Sequence, residues 1–166
     1  IECENNGIRL IHIFEDEWEF KRDIVESRIR NILNCTQNKI FARKCQIKTV
    51  DKSIAMRFLD ENHLQGKCGS IINYGLYYNG DLVSLMTFGK QRKNMGRNDT
   101  DNTYELIRFC NRLNTNVVGG ASKLFKHFIK EFNPSSVISY ADRRWSNGNL
   151  YTKLNFSHVH NSRPNY

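Results

Sequence analysis

The spacing of apolar residues changes several times along the chain, and each change marks the edge of an element. Residues 8–14, IRLIHIF, read as a strand. Over 18–33, Trp18, Ile24, Val25, Ile29, Ile32 and Leu33 recur at near-helical spacing. Residues 40–50 place Ile40, Ala42, Cys45, Ile47 and Val50 between charged neighbours and predict another strand. The helix that follows carries Ile54, Phe58 and Leu59 on one face, with Ser53 as its candidate cap, and stops near His63. INYGLYY and DLVSLMTFG flank Asn79-Gly80, a pair that tolerates the left-handed backbone of a tight hairpin turn. RKNMGRNDTDN has no period and reads as a loop. A strand at 103–110, a helix at 120–132, a strand at 136–141, a short helix at 147–153 and a last strand at 155–160 complete the reading. A hairpin followed by strand, helix and strand predicts an α/β fold with a mixed central sheet flanked by helices, preceded by an N-terminal strand-helix appendage.

The chain shows no internal repeat and no low-complexity tract. One boundary suggests itself in the polar turn at residues 34–40. This divides the chain into 1–36 and 37–166, within the size expected for one domain and an appendage: 166 residues, 39% hydrophobic and 25% charged. A chain opening on Ile1 rather than Met is expected to begin inside a longer one. No stretch approaches the ~18 apolar residues of a membrane helix, and no basic-then-apolar leader is visible, so a soluble, cytoplasmic location without a membrane partner is expected. Five cysteines without a CxxC pair indicate neither a disulfide framework nor a zinc knuckle, and no metal site is expected. Twenty-five Lys and Arg against seventeen Asp and Glu give a net charge of +8, which favours a polyanionic partner such as double-stranded DNA over simple solubility.

Polar residues inside apolar runs mark the candidate chemistry. A strand-like run ending in Gly119, Gly120 and Ala121 and feeding a helix leaves that helix's first N–H groups available to an anion, with Ser122 either capping or touching phosphate. Asp142 ends the apolar run VISYA, where open α/β sheets place ligands, or else caps a turn. Arg108, between Ile107 and Phe109, must be paired if buried, and Asp142 is a candidate partner. Glu105 would face away from Arg108 on a regular strand; a bulge or strand end would bring them together. Tyr151 either donates a proton to a leaving thiolate or packs on the sheet. His63 either acts as a base or metal ligand or sits at a helix C-terminus. Arg143, Arg144 and Trp145 suit phosphate contact with base stacking, and the basic residues Lys90, Arg92 and Lys93 could touch phosphate.

Two motifs point to a family. Asn116-Val-Val-Gly119-Gly120-Ala121 resembles the Q/R-x-x-G-x-G/A pyrophosphate loop of acyl-CoA-dependent transferases, with Asn116 where Gln or Arg is usual. NGNLYTKLNF resembles the N-x-x-x-x-Y-x-K-x-G-F segment one strand later, with Asn155 where Gly is usual. Together they are similar to the GNAT superfamily, which implies an acyl-CoA cofactor held at Asn116, Gly119, Gly120, Ala121 and Ser122. ELIRF, GGASKLF, ISYAD and GNLYTKLNF more narrowly resemble the phage Mom DNA-modification proteins, GNAT-like proteins that modify adenine in DNA. Glu105, Arg108, Ser122, Asp142 and Tyr151 fall on their polar positions, and a transferase reading implies that His63 or Glu105 accepts a proton while Tyr151 protonates the leaving group. The same segments, preceded by NHLQG and TFGK, also look like the C-terminal region of phage homing endonucleases, a pattern that includes His63 and Lys90. In those proteins GIRLIHIFEDEW and its helix close a nuclease domain related to very-short-patch-repair enzymes.

Two functional readings result. In the first, the chain is the GNAT-like DNA-recognition module of a homing-endonuclease-like protein in a phage-infected host, and its residues 1–36 are the remnant of a nuclease domain unable to cut alone. In the second, it is a Mom-like or acyl-CoA-dependent transferase acting on a nucleobase amine. Neither fixes an oligomeric state.

Overall fold

A computed structural model of the chain describes residues 2–90 and 102–161. Three helices come first: α1 (Glu2–Asn5), α2 (Glu15–Phe20) and α3 (Arg22–Ile32). Residues 8–14, expected as a strand, form none, because no sheet edge accepts them and extended backbone is stable only when paired. Ile11 alone of this run packs inward, beside Ile24, Val25, Leu64 and Trp145. The helical stretch expected over 18–33 breaks at Lys21, whose φ of −136° leaves the helical region and whose Nζ donates to the Leu64 carbonyl at 2.7 Å.

The remaining chain builds β1 (Asn38–Phe41), β2 (Gln46–Thr49), α4 (Lys52–Asn62), β3 (Ile72–Tyr78), β4 (Asp81–Lys90), β5 (Thr103–Asn111), β6 (Thr115–Val118), α5 (Gly120–Phe132), β7 (Ser136–Ser139) and α6 (Asn149–Lys153). The alternation at 40–50 thus spans two strands, split by a 3-10 turn at Ala42–Lys44. β1 pairs in parallel with β6 in a two-stranded sheet, whereas β2 opens the main sheet, whose order is β2-β3-β4-β5-β7. Asn79 and Gly80 take φ of 51° and 88°, as the hairpin requires. Ser53 does not cap α4; Asp51 occupies the cap position without a side-chain bond. The strand expected at 155–160 is absent. Its cause is a Schellman end to α6: Asn155, at φ 64°, donates its N–H to the Thr152 carbonyl, and Phe156 donates to Tyr151.

Two cores sandwich the main sheet. On one face α5 lays Ala121, Leu124 and Phe128 against Leu76, Met86, Phe88, Tyr104 and Leu106, with Phe88 and Phe128 stacked at 3.7 Å between centroids. On the other, α4 packs Ala55, Phe58 and Leu59 against Val50, Leu82, Leu85 and Cys110. A third cluster, of Ile24, Val25, Leu64 and Trp145, ties α3 to the rest. The order and layering are those of an α/β fold with a mixed central sheet flanked by helices. No helix among the described residues is long and apolar enough to cross a membrane.

Candidate active site

The central sheet opens where β7 ends, and this point is the fork of the sheet. β5 pairs in parallel with β7 only from Thr103–Ser136 to Leu106–Ser139, then continues to Asn111. Ser139 Oγ closes the last rung by donating to the Leu106 carbonyl at 2.8 Å. The Tyr151 hydroxyl lies 3.3 Å from that Oγ and donates to the Tyr140 carbonyl at 3.1 Å. The Schellman end holds the Tyr151 carbonyl, and Phe156 supports its ring edge-on at 5.6 Å. Tyr151 therefore both packs and places a hydroxyl at the fork.

The register of β4 and β5 slips between Thr87 and Phe88, so that Arg108 faces Thr87, Leu106 faces Phe88, and Ile107 is the extra residue. Glu105 then lies opposite Gly89, of the same parity as Thr87, and the bulge puts Glu105 and Arg108 on one face. This is the arrangement that a regular strand forbids. Arg108 does not pair with Asp142. It donates Nη1 to the adjacent Ile107 carbonyl at 2.9 Å, and its buried Nε has no partner. His63 lies in the field of Arg108. Burial, followed by Arg108, Arg28 and Lys21, pushes its pKa down to about 3. Its Nδ1 accepts from the Gln65 N–H at 3.1 Å, so the neutral ring carries its proton on Nε2. In this state His63 is a hydrogen-bond donor and a weak base.

Asp142 is claimed by Arg144. Its Oδ1 accepts from the Arg144 backbone N–H and Nε, at 3.0 and 3.2 Å, and its Oδ2 accepts from Nη2 at 2.8 Å. Nη2 also reaches Glu17 Oε1 on α2 at 2.9 Å, and the guanidinium lies 4.1 Å over the Phe14 ring. Burial pulls the Arg144 pKa down, but the bonds to Glu17 and Asp142 outweigh it and leave it raised. Arg28 of α3 stands over the Trp145 ring at 4.8 Å. Burial lowers its pKa despite Asp142, Cys110 and Glu17, while its buried Nε has no partner. Burial pushes the Cys110 thiol up to about 12, so it is neutral and no nucleophile at pH 7.

The start of α5 is open. Gly119 precedes it at φ 78°, in the left-handed region, and no side chain caps the first turn. A Cβ on Gly120 would lie 3.1 Å from Val117 Cγ1, so the helix enters flush against β6. Ser122 is half-buried and does not cap. Asn116 lies within β6, opposite Lys39, before the turn rather than in it. Lys123 is occupied, donating to the Ala42 and Cys45 carbonyls at 2.9 and 2.6 Å.

Of the residues expected to meet nucleic acid, Lys90 ends β4 with its Nζ 4.0 Å from the Tyr104 ring centroid, and Arg143 is exposed. Trp145, 3% exposed, is committed to the third core, which removes it from any stacking surface. Arg92 and Lys93 lie outside the described residues. Sequence reasoning passed over Arg28, Glu17 as an ion-pair partner, and Ser139. Arg28 had a visible signal: it interrupts the inward stripe of Ile24, Val25, Ile29 and Ile32 at helical spacing.

The profile of the Mom protein family matches residues 44–166. No curated protein matches the chain. Among solved structures, a Deinococcus radiodurans R1 protein assigned to the acetyltransferases is similar at 10% identity and a TM-score of 0.52, over 75% of this chain and 90% of that one. An aminoglycoside acetyltransferase from an uncultured soil metagenomic sample, solved with trehalose, is similar at 12% identity and a TM-score of 0.50, over 75% and 95%. At such identities these two speak for the fold. None of these matches supports the homing-endonuclease resemblance.

Proposed function

The chain belongs to the Mom protein family, and from that premise we propose that it is a GNAT-type transferase that modifies the exocyclic amine of a base in DNA, with an acyl-CoA as donor. The end of the β5–β7 pairing carries this reading: β7 stops at Ser139 while β5 runs on past Leu106, and the Tyr151 hydroxyl stands at that point. α5 starts just past the carboxyl end of β6, with Gly119 between them, and open α/β folds take ligands beyond the carboxyl ends of their strands. Its uncapped amides fit a pyrophosphate, because the left-handed Gly119 and close-packed Gly120 leave no side chain over them. When bound, the thioester supplies the acyl carbon and a thiolate leaving group.

The chain's own residues do the rest. A base inside a duplex cannot reach a fork in a sheet, so it must be extruded first. Tyr151 is the proton donor to the leaving group in this reading. Its O–H, now held by the Tyr140 carbonyl, has to rotate toward the fork, while Ser139 Oγ remains beside it. Arg108 and the Nε2–H of His63 supply positive potential and a hydrogen bond where oxyanion charge develops. Glu105 shares the face of Arg108 and is the candidate proton acceptor.

Ligand-linked stability tests the donor site. Acetyl-CoA at a hundredfold excess over its Kd is expected to stabilise the chain by ~2.7 kcal/mol, read as a raised Tm. Gly120→Glu, which sets a carboxylate among the amides, is expected to abolish the rise. An unaltered Tm at millimolar acetyl-CoA would remove acyl-CoA from the proposal.

A further inference from the structure

Resting on that DNA-modifying reading, we infer that Lys39 and Phe41 of β1, with Arg43 and Lys44 of the 3-10 turn that follows, form a contact for the sugar-phosphate backbone of duplex DNA. Lys39, Phe41 and Arg43 precede residue 44, where the family match begins.

One ring brings the cluster together. Phe41 is 40% exposed, and its centroid lies 5.8 Å from Lys39 Nζ and 5.2 Å from Arg43 Cζ. The ring restrains both charged ends while their N–H groups stay in water, because Lys39 and Arg43 are themselves exposed. A cation, an apolar ring and a second cation match a nucleic-acid strand, in which anionic phosphates flank the apolar face of each sugar.

The charges are also free. Lys39, Arg43 and Lys44 make no ion pair and no side-chain hydrogen bond among the described residues. Other arginines at the surface do: Arg22 and Arg30 pair with Glu26, and Arg112 pairs with Asp81. The difference is written in the sequence, since residues 27–50 contain no Asp or Glu. This stretch of surface therefore carries one sign of charge, with every donor available to replace the counterions of a polyanion.

The mounting is rigid. Ala42 and Cys45 flank the exposed pair Arg43 and Lys44, are each 4% exposed and belong to the core under α5. Lys123 of α5 donates to both of their carbonyls, at 2.9 and 2.6 Å. Phe41 faces Val118 in the β1–β6 register, and a Cβ on Gly119 would lie 3.8 Å from that of Ala42. The turn is thereby fixed against the start of α5, and DNA held there stays beside the candidate site.

Fluorescence anisotropy of a short labelled duplex, read with the full chain over a range of salt concentrations, tests the contact. Each phosphate contact contributes about 0.9 to the slope of log K against log salt. Lys39→Gln with Arg43→Gln is therefore expected to lower the slope by about two and, at about 0.1 M salt, to weaken binding by roughly tenfold or more. Lys39→Arg with Arg43→Lys keeps both charges and is expected to keep the slope, which a role for the particular side chains in folding would not do. Lys52→Gln with Arg57→Gln removes the same charge from α4, on the opposite face of the sheet, and is expected to leave the slope alone. An unchanged slope in the first variant, a lost slope in the second or an equal loss in the third each overturns the contact. So does a retained slope with a lost acetyl-CoA-dependent rise in Tm in the first variant, which would give the cluster to the donor's phosphates. Failure of the unaltered chain to bind any duplex would overturn the DNA reading itself, whereas the preceding outcomes overturn the contact alone.

Discussion

His63 is surrounded by Arg108, Arg28 and Lys21 in a half-buried site, and its chemistry follows from that company. Its pKa falls from 6.5 to about 3 on folding, so the folded chain refuses a proton that the unfolded chain accepts. Above pH 6.5 both states leave the ring neutral and it contributes no pH dependence. Below that value stability drops by about 1.4 kcal/mol per pH unit from this residue alone, until the folded pKa is reached. Urea unfolding at several pH values is expected to show that slope in the unaltered chain and a loss of one proton's worth in His63→Asn. At this scale the sequence exposes polar residues but not their partners. Arg108 stands out because it interrupts an apolar run, Asp142 because it ends one, and His63 because it follows a helix. Asp142 binds Arg144, two residues on, rather than Arg108, and the second carboxylate on Arg144, Glu17, arrives from 127 residues away. Asn155 shows the converse: a departure from the glycine usual in the resembling family is harmless because Asn tolerates the left-handed cap.

Elements whose own residues dictate their form are the legible ones. The Asn79-Gly80 hairpin and the helix over 120–132 follow from turn chemistry and periodicity, and both stand where pattern places them. Elements that depend on a distant partner are not legible. Residues 8–14 have strand composition but no edge to join, and 40–50 alternates as if continuous although its halves serve different sheets. The bulge at Ile107 could be named only as a condition for Glu105 and Arg108 to meet, since bulges are set by the neighbouring strand. β3 carries a further constraint at Gly75. A Cβ there would lie 2.7 Å from Val50 Cγ2 and would also strike Leu82 Cδ1, both members of the core under α4. Gly75→Ala is accordingly expected to destabilise the chain by ~1–3 kcal/mol, through overpacking with the native φ retained. Chemical denaturation measures this directly, and an undiminished midpoint would show that the sheet yields more easily than its packing indicates.

Across the whole molecule, the family match and the architecture divide the chain differently. The match begins at residue 44, yet Glu17 and Arg28 from the preceding helices enter the charged cluster beside the fork. The third core and the Arg144–Glu17 ion pair fasten those helices onto the GNAT-like fold. The net charge of +8 gives this assembly a general attraction for a polyanion. Nucleoside mass spectrometry of DNA from cells expressing the chain reads base modification directly, whichever donor the cell supplies. A deoxyadenosine of increased mass is expected with the unaltered chain, reduced by about a hundredfold or more in Tyr151→Phe, the loss typical of a removed proton donor. Deoxynucleosides all of unaltered mass from cells holding abundant, folded protein would contradict base modification.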